Sequence, residues 1–124
     1  MNGQFRSLSG QSPWLTLVGL DESGWQGLGA QAQGAIVAAE LLVGGRRHLE
    51  HIPVREGQQR LCWPSPIADG IAEIQQWRGR RVCVLASGDP FSYGVGSTLS
   101  RHIAAAEMHC LPAPSAFSLA AARL

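Results

Sequence analysis

The residues best equipped for chemistry fall in three stretches of the chain. Ser87, Gly88, Asp89 and Pro90 directly follow a short apolar run, Val82, Cys83, Val84, Leu85 and Ala86, which has the β-branched content of a buried strand. Glycine permits positive φ, proline fixes φ, and serine and aspartate bond nearby amides, so the strand must end in a turn there. Backbone groups and one carboxylate then lie at a carboxyl strand end, where open α/β sheets bind ligands. The second stretch, DESGWQGLG, supplies Gly24, Gly27 and Gly29 ahead of a helix, a context that binds anions. Its spacing is not GxGxxG and no GK[ST] follows, so it is a weak nucleotide fingerprint. The third stretch gathers Arg46, Arg47, His48, His51, Arg55 and Arg60. Guanidinium forks match carboxylates, although a charge run of this kind also serves as a plain solvated face. His48 and His51, spaced i, i+3, have no third ligand nearby, so no zinc site is expected. Cys62, Cys83 and Cys110 contain no C-x-x-C and read as reduced, buried thiols.

The elements that must position these residues alternate. A first strand is expected over 14–20, ending near Gly19 and Leu20. A helix over 30–40 has an apolar side through Ala32, Ala35, Ile36 and Ala39, and a second strand follows at 40–43, stopped by Gly44 and Gly45. The basic stretch is expected as a loop, with a short third strand near 49–53 despite Pro53. Ser65 and Pro66 start a helix carrying Ile67, Ile71, Ile74 and Trp77 at helical spacing and ending at Gly79. The central strand at 82–86 comes next, then a helix over 95–105 with Val95, Leu99 and Ile103 on one side. MHCLP, residues 108–112, forms a fifth strand, and Ser115 caps a last, alanine-rich helix. Alternation of this kind implies an α/β fold: a mostly parallel five-stranded sheet flanked by helices, with right-handed crossovers. The loops after Leu20, Ala86 and Leu111 then converge on one edge of the sheet.

Composition bounds the possibilities. Apolar residues make up 45% of the 124-residue chain and charged ones 15%, so a real core is available and disorder is excluded. All ten basic residues are arginine, nearly balanced by nine acids, and a formal charge of +1 leaves no electrostatic footprint for nucleic acid. No apolar run approaches the roughly 20 residues that span a bilayer, and residues 1–12 lack the apolar core of a signal peptide. A flexible tail over 1–13, one α/β domain over 14–124 and a cytoplasmic location are expected.

The three loops together resemble those of the tetrapyrrole (corrin and porphyrin) methyltransferases. The residues that carry the resemblance are VGL at 18–20, SGDPFSYGVG at 87–96 and PAPSAFSLAAARL at 112–124. Within that family GWQGLG at 24–29, GGRRHL at 44–49 and SPIADGI at 65–71 resemble the precorrin-6Y C5,15-methylating branch of cobalamin synthesis. The family pattern has a second glycine two residues after Gly19, where this chain has Asp21.

The resemblance implies the N-terminal domain of the tetrapyrrole methylase fold and S-adenosylmethionine as methyl donor, with no metal. Its donor-contacting residues would be Gly19, Leu20, Ser87, Gly88, Asp89, Tyr93, Gly94, Pro114, Ser115 and Ala116, and Arg46, Arg47 and His48 would meet a polycarboxylate precorrin. The plainer roles of the same residues stand beside these: Asp89 closing its turn, Tyr93 packing in the core, Ser115 capping a helix. No residue is assigned as catalytic base. The resemblance further implies a C-terminal methylase domain and a C15-methylating, decarboxylating domain or subunit as partners, and a homo-oligomer. The first 124 residues alone are expected to be inactive. Two rivals remain: a family member with a different acceptor, and a non-catalytic interaction domain that keeps the fold.

Overall fold

The computed structural model describes residues 13–20, 24–87 and 94–111. Its centre is a five-stranded sheet of β1 (Leu15–Leu20), β2 (Leu41–Gly44), β3 (Gln59–Cys62), β4 (Val82–Ser87) and β5 (Met108–Leu111). The spatial order is β3-β2-β4-β1-β5, and every pairing is parallel. Between the strands lie α1 (Ala30–Ala38), α2 (Arg46–Glu50), α3 (Ile67–Gln75) and α4 (Gly94–Ser100), with 3-10 turns at Gly24–Gly27 and Ala105–Glu107. Strand-helix alternation and the parallel sheet are as the sequence implies.

Side-chain alternation along the strands divides the core into two layers. Leu15, Leu17, Val43, Val82, Val84 and Ala86 face one way and pack with Ile71 and Ile74 of α3 and Leu99 of α4. Val18, Leu20, Leu42, Cys83 and Leu85 face the other way and pack with Ala32 and Ile36 of α1 and with Ile52. Of the residues expected on buried helix faces, Ile36, Ile71, Ile74 and Leu99 are all 2% exposed or less, whereas Ile67, the first residue of α3, is exposed because the helix only begins there. Burying an aliphatic side chain of this kind contributes about 1.5–3 kcal/mol.

The third strand departs from expectation. Residues 49–53 are not a strand; the strand is Gln59–Cys62, and the arginine-rich stretch expected as a loop opens as helix α2. Two physical causes account for this. Pro53 has no N–H to give a ladder, and the carbonyls of Leu49, Ile52 and Pro53 are taken by the guanidinium of Arg60, at 3.0, 3.0 and 2.7 Å. After extended Gly45, Leu49 N–H bonds the Gly45 carbonyl at 3.0 Å, and Arg46 and Glu50 pair at 3.6 Å one turn apart.

Other boundaries shift modestly. The second strand is Leu41–Gly44 rather than 40–43, because Glu40 is held by the backbone of Arg81 and the side chain of Arg80. The helix expected to 79 ends at Gln75, followed by turns that close at Gly79, whose φ of +88° suits glycine. The helix expected over 95–105 is Gly94–Ser100. Most of the N-terminal tail and the helix expected after Ser115 lie outside the described residues. Among the described residues no helix is long and apolar enough to cross a membrane.

The amino edge of the sheet is locked by charge. Trp14 Nε1–H donates to Glu107 at 2.6 Å, and Arg78 pairs with the same carboxylate. Glu40 accepts from Arg80 at 2.8 and 3.1 Å. These bonds hold the Glu107 carboxyl below the usual carboxylate range, through Trp14 first and Arg78 next, and the Glu40 carboxyl likewise, through Arg80 and the Arg81 amide. Arg80 also stacks 4.5 Å from the Trp77 ring centroid. Arg78, Arg80 and Arg81 are thereby engaged at the amino edge of the sheet.

Candidate functional site at the carboxyl edge of the sheet

The order β3-β2-β4-β1-β5 contains a reversal. From β1 the chain moves to β2 and β3 in one direction through α1 and α2; it then returns to β4 and β5 through α3 and α4. With right-handed crossovers, reversed travel sends helices to the opposite face, and the two core layers have that composition. The chain therefore leaves adjacent strands β1 and β4 toward opposite faces. A crevice opens between such strand ends, at the point where α/β sheets take ligands.

Register places the sequence motifs there. Gly19 lies opposite Ala86 and Leu20 opposite Ser87, while Val18 lies opposite Leu111 on the other neighbour. The ends of the three strands that precede the glycine- and proline-marked loops are thus side by side, with β1 in the middle. Gly19 and Ala86 are both buried and share the α3/α4 face, so on that face nothing bulkier than a methyl group stands at this level of the two strands.

Of the expected donor-contacting residues, Gly19, Leu20 and Ser87 are brought together at this edge, and Gly94 begins α4 beyond it. Gly88, Asp89, Tyr93, Pro114, Ser115 and Ala116, and also Asp21, lie outside the described residues. Arg46, Arg47 and His48 follow β2, the neighbour of β4 on its other side, so they stand at the same edge. Arg46 and Arg47 are exposed; His48 is half-buried, its Cβ about 3.5 Å from where a Cβ on Gly44 would lie. Burial, and then the nearby His51, hold the His48 imidazole below its usual range, favouring the neutral ring. Arg46 and Arg60 are among the residues lining an open cavity of about 330 Å³ between α2 and the sheet-edge strand β3. Among the described residues no group of acidic, histidine or cysteine side chains has the arrangement of a metal site.

Sequence reasoning missed one junction. Gly24 has φ +61°, and a Cβ there would sit 3.2 Å from His51 Nδ1 and 3.4 Å from its Cγ. The turn after β1 therefore rests on the end of α2, and GWQGLG and GGRRHL, far apart in the chain, form one surface. The available signal was Gly24 itself, since a glycine opening a tight turn commonly takes positive φ.

Comparison with known proteins gives this geometry a context. Residues 15–124 match the family model described as Tetrapyrrole (Corrin/Porphyrin) Methylases. Over 113 residues, 91% of the chain, the sequence is 50% identical to a Sinorhizobium precorrin-6Y C(5,15)-methyltransferase [decarboxylating]. It is 35% identical over 102 residues, 82% of the chain, to the Salmonella typhimurium cobalt-precorrin-7 C(5)-methyltransferase. The chain spans 27% of the first relative's length and 50% of the second's. Among solved structures it is similar to the methyltransferase CobJ, with a TM-score of 0.70 and 28% identity over 90% of this chain and 51% of that one. It is also similar to the precorrin-6Y methylase CbiE of Archaeoglobus fulgidus, with a TM-score of 0.62 and 26% identity over 92% and 59% of the two chains.

Proposed function

Because the chain belongs to the tetrapyrrole (corrin/porphyrin) methylase family, we propose that it is the donor-contacting N-terminal part of an S-adenosylmethionine-dependent C-methyltransferase acting on precorrin-6Y in cobalamin biosynthesis. The observation that carries this reading is the register at the sheet reversal, which aligns the ends of β1, β4 and β5 beside one crevice. Identity to the precorrin-6Y and cobalt-precorrin-7 enzymes supports the acceptor. Both of those relatives are named for methylation at C5, and both contain the region matched here. The C5-methylating unit is accordingly the part to which this chain corresponds.

When bound, S-adenosylmethionine supplies an electrophilic methyl group on a sulfonium centre, so the protein contributes chiefly by positioning and electrostatics. Gly19 and Leu20 end the strand beside the donor, and Gly88 lets backbone meet it. Asp89 anchors it by a hydrogen bond or lies near the sulfonium, and Phe91 and Tyr93 wall the slot. The backbone of Pro114, Ser115 and Ala116 closes the adenosine side. Arg46, Arg47 and His48 receive carboxylate arms of the acceptor, the guanidinium forks as ionic partners and the neutral His48 ring as a hydrogen-bonding one. A C-terminal methylase domain supplies the opposite wall, and a C15-methylating, decarboxylating domain or subunit completes the larger enzyme, which is expected to self-associate in the cytoplasm.

Calorimetry with S-adenosylhomocysteine on the complete polypeptide tests the reading. Wild type binds, and Asp89→Ala weakens binding by about tenfold or more, the loss of one charge-assisted hydrogen bond. No binding to wild type refutes the proposal. Residues 1–124 alone should show little turnover of a precorrin, and robust turnover would contradict the two-domain cleft.

A further inference from the structure

We infer that His51 is a positioning residue for the acceptor side of the cleft: it seats the Gly24–Gly27 turn against α2, so that the segments following β1 and β2 move as one wall. The inference rests on the methyltransferase reading above. Three braces make the wall a unit. The three atoms nearest to a Cβ on Gly24 are His51 Nδ1, Cγ and Cβ, at 3.2, 3.4 and 3.5 Å, so the turn lies directly on that side chain. Gln33 of α1 donates to the Trp25 carbonyl at 2.9 Å, tying the other side of the turn to the first helix. Arg60 gathers the carbonyls of Leu49, Ile52 and Pro53 and fixes the chain on both sides of His51. Beneath them Trp25, Leu28, Leu49 and Ile52 share one core layer.

The wall leaves the sheet at the same edge as the strand-end crevice and presents cations. Arg47 is exposed and has no ion-pair partner among the described residues, whereas the arginines at the amino edge are engaged by Glu40 and Glu107. A polycarboxylate acceptor meeting Arg47 depends on where α2 sits. That position relative to the strand-one loop is set at the Gly24–His51 contact. His51 itself need touch neither donor nor acceptor.

Asparagine supplies the test, because its Cβ, Cγ and one δ atom reproduce the three His51 atoms that face Gly24. Steady-state kinetics and S-adenosylhomocysteine binding would be measured on the complete polypeptide for wild type, His51→Ala and His51→Asn. His51→Ala should raise the acceptor KM on the order of tenfold with donor-analogue affinity unchanged, the size expected when a binding wall is displaced without loss of a reacting group. His51→Asn should restore the wild-type KM. His51 is exposed, so truncation removes no core packing, and thermal unfolding checks that both variants remain folded. Three outcomes would overturn the inference: an unchanged KM in His51→Ala, a His51→Asn as impaired as His51→Ala, or equal losses of donor and acceptor affinity. Failure of wild type to methylate any corrin would instead refute the underlying reading.

Discussion

Replacing Gly70 by alanine puts a methyl carbon where the molecule has no room for one. A Cβ built at that position lies 2.7 Å from Trp63 Cε3, 2.9 Å from Trp63 Cζ3 and 2.8 Å from Pro64 Cδ. None of these is the loose end of a flexible chain. Pro64 Cδ belongs to a ring closed on the backbone, and Trp63 N–H is bonded to the Gly44 carbonyl at 3.1 Å with its ring packed on the core. Helix propensity alone favours alanine over glycine inside α3 by about 1 kcal/mol. Forcing an extra methyl into a packed site costs about 1–3 kcal/mol, and the upper part of that range, about 2–3 kcal/mol, applies here because three contacts fall under 3.0 Å and backbone as well as a side chain must give. The net expectation is a loss of about 1–2 kcal/mol, or about 4–8 °C in Tm for a domain of this size. Gly34 in α1 is the internal control: nothing lies within 4 Å of a Cβ there, so Gly34→Ala should gain about 0.5–1 kcal/mol. Urea unfolding followed by tryptophan fluorescence and by circular dichroism measures both. If Gly70→Ala is as stable as wild type, or if the two substitutions shift stability in the same direction, the steric argument is wrong.

Further outcomes follow from the same packing and charge. Glu40 and Glu107 have folded-state pKa values below their ordinary one, so their stabilisation is present above the ordinary carboxylate pKa and is lost as pH falls through the lowered value. Urea midpoints should fall as pH drops below about 4.5, and Glu40→Gln with Glu107→Gln should flatten that slope; an unchanged slope rejects the assignment. Arg60→Ala should cost about 2 kcal/mol and speed amide exchange at Ile52, and Arg60→Lys should not rescue it, since an ammonium cannot span three carbonyls as a guanidinium does. Burial pushes the Cys83 thiol up to about 12, so at neutral pH it should resist alkylation until the chain unfolds, while Cys62, which the sequence led us to expect buried, is exposed on β3 and labels at once. Mass spectrometry distinguishes the two sites, and equal labelling rates would contradict the burial of Cys83.

The apolar runs of β1 and β4 and the spacing of Ile71, Ile74 and Trp77 were readable from residue types, because burial on a sheet or helix face imposes a local period on the chain. The end of β4 at Ser87 was readable for the same reason: glycine and proline act within one or two residues. The third strand was not. Whether residues 49–53 or 59–62 pair with β2 depends on where the Arg60 guanidinium finds its carbonyls, a contact between segments that no local pattern encodes. Nor does any local pattern contain the strand order. The chain alone established an alternating α/β domain whose motif loops follow strands. Only tertiary structure decided that β1 lies between β4 and β5, and that Gly24 comes to rest on His51, because both depend on crossover direction and on packing between residues distant in sequence.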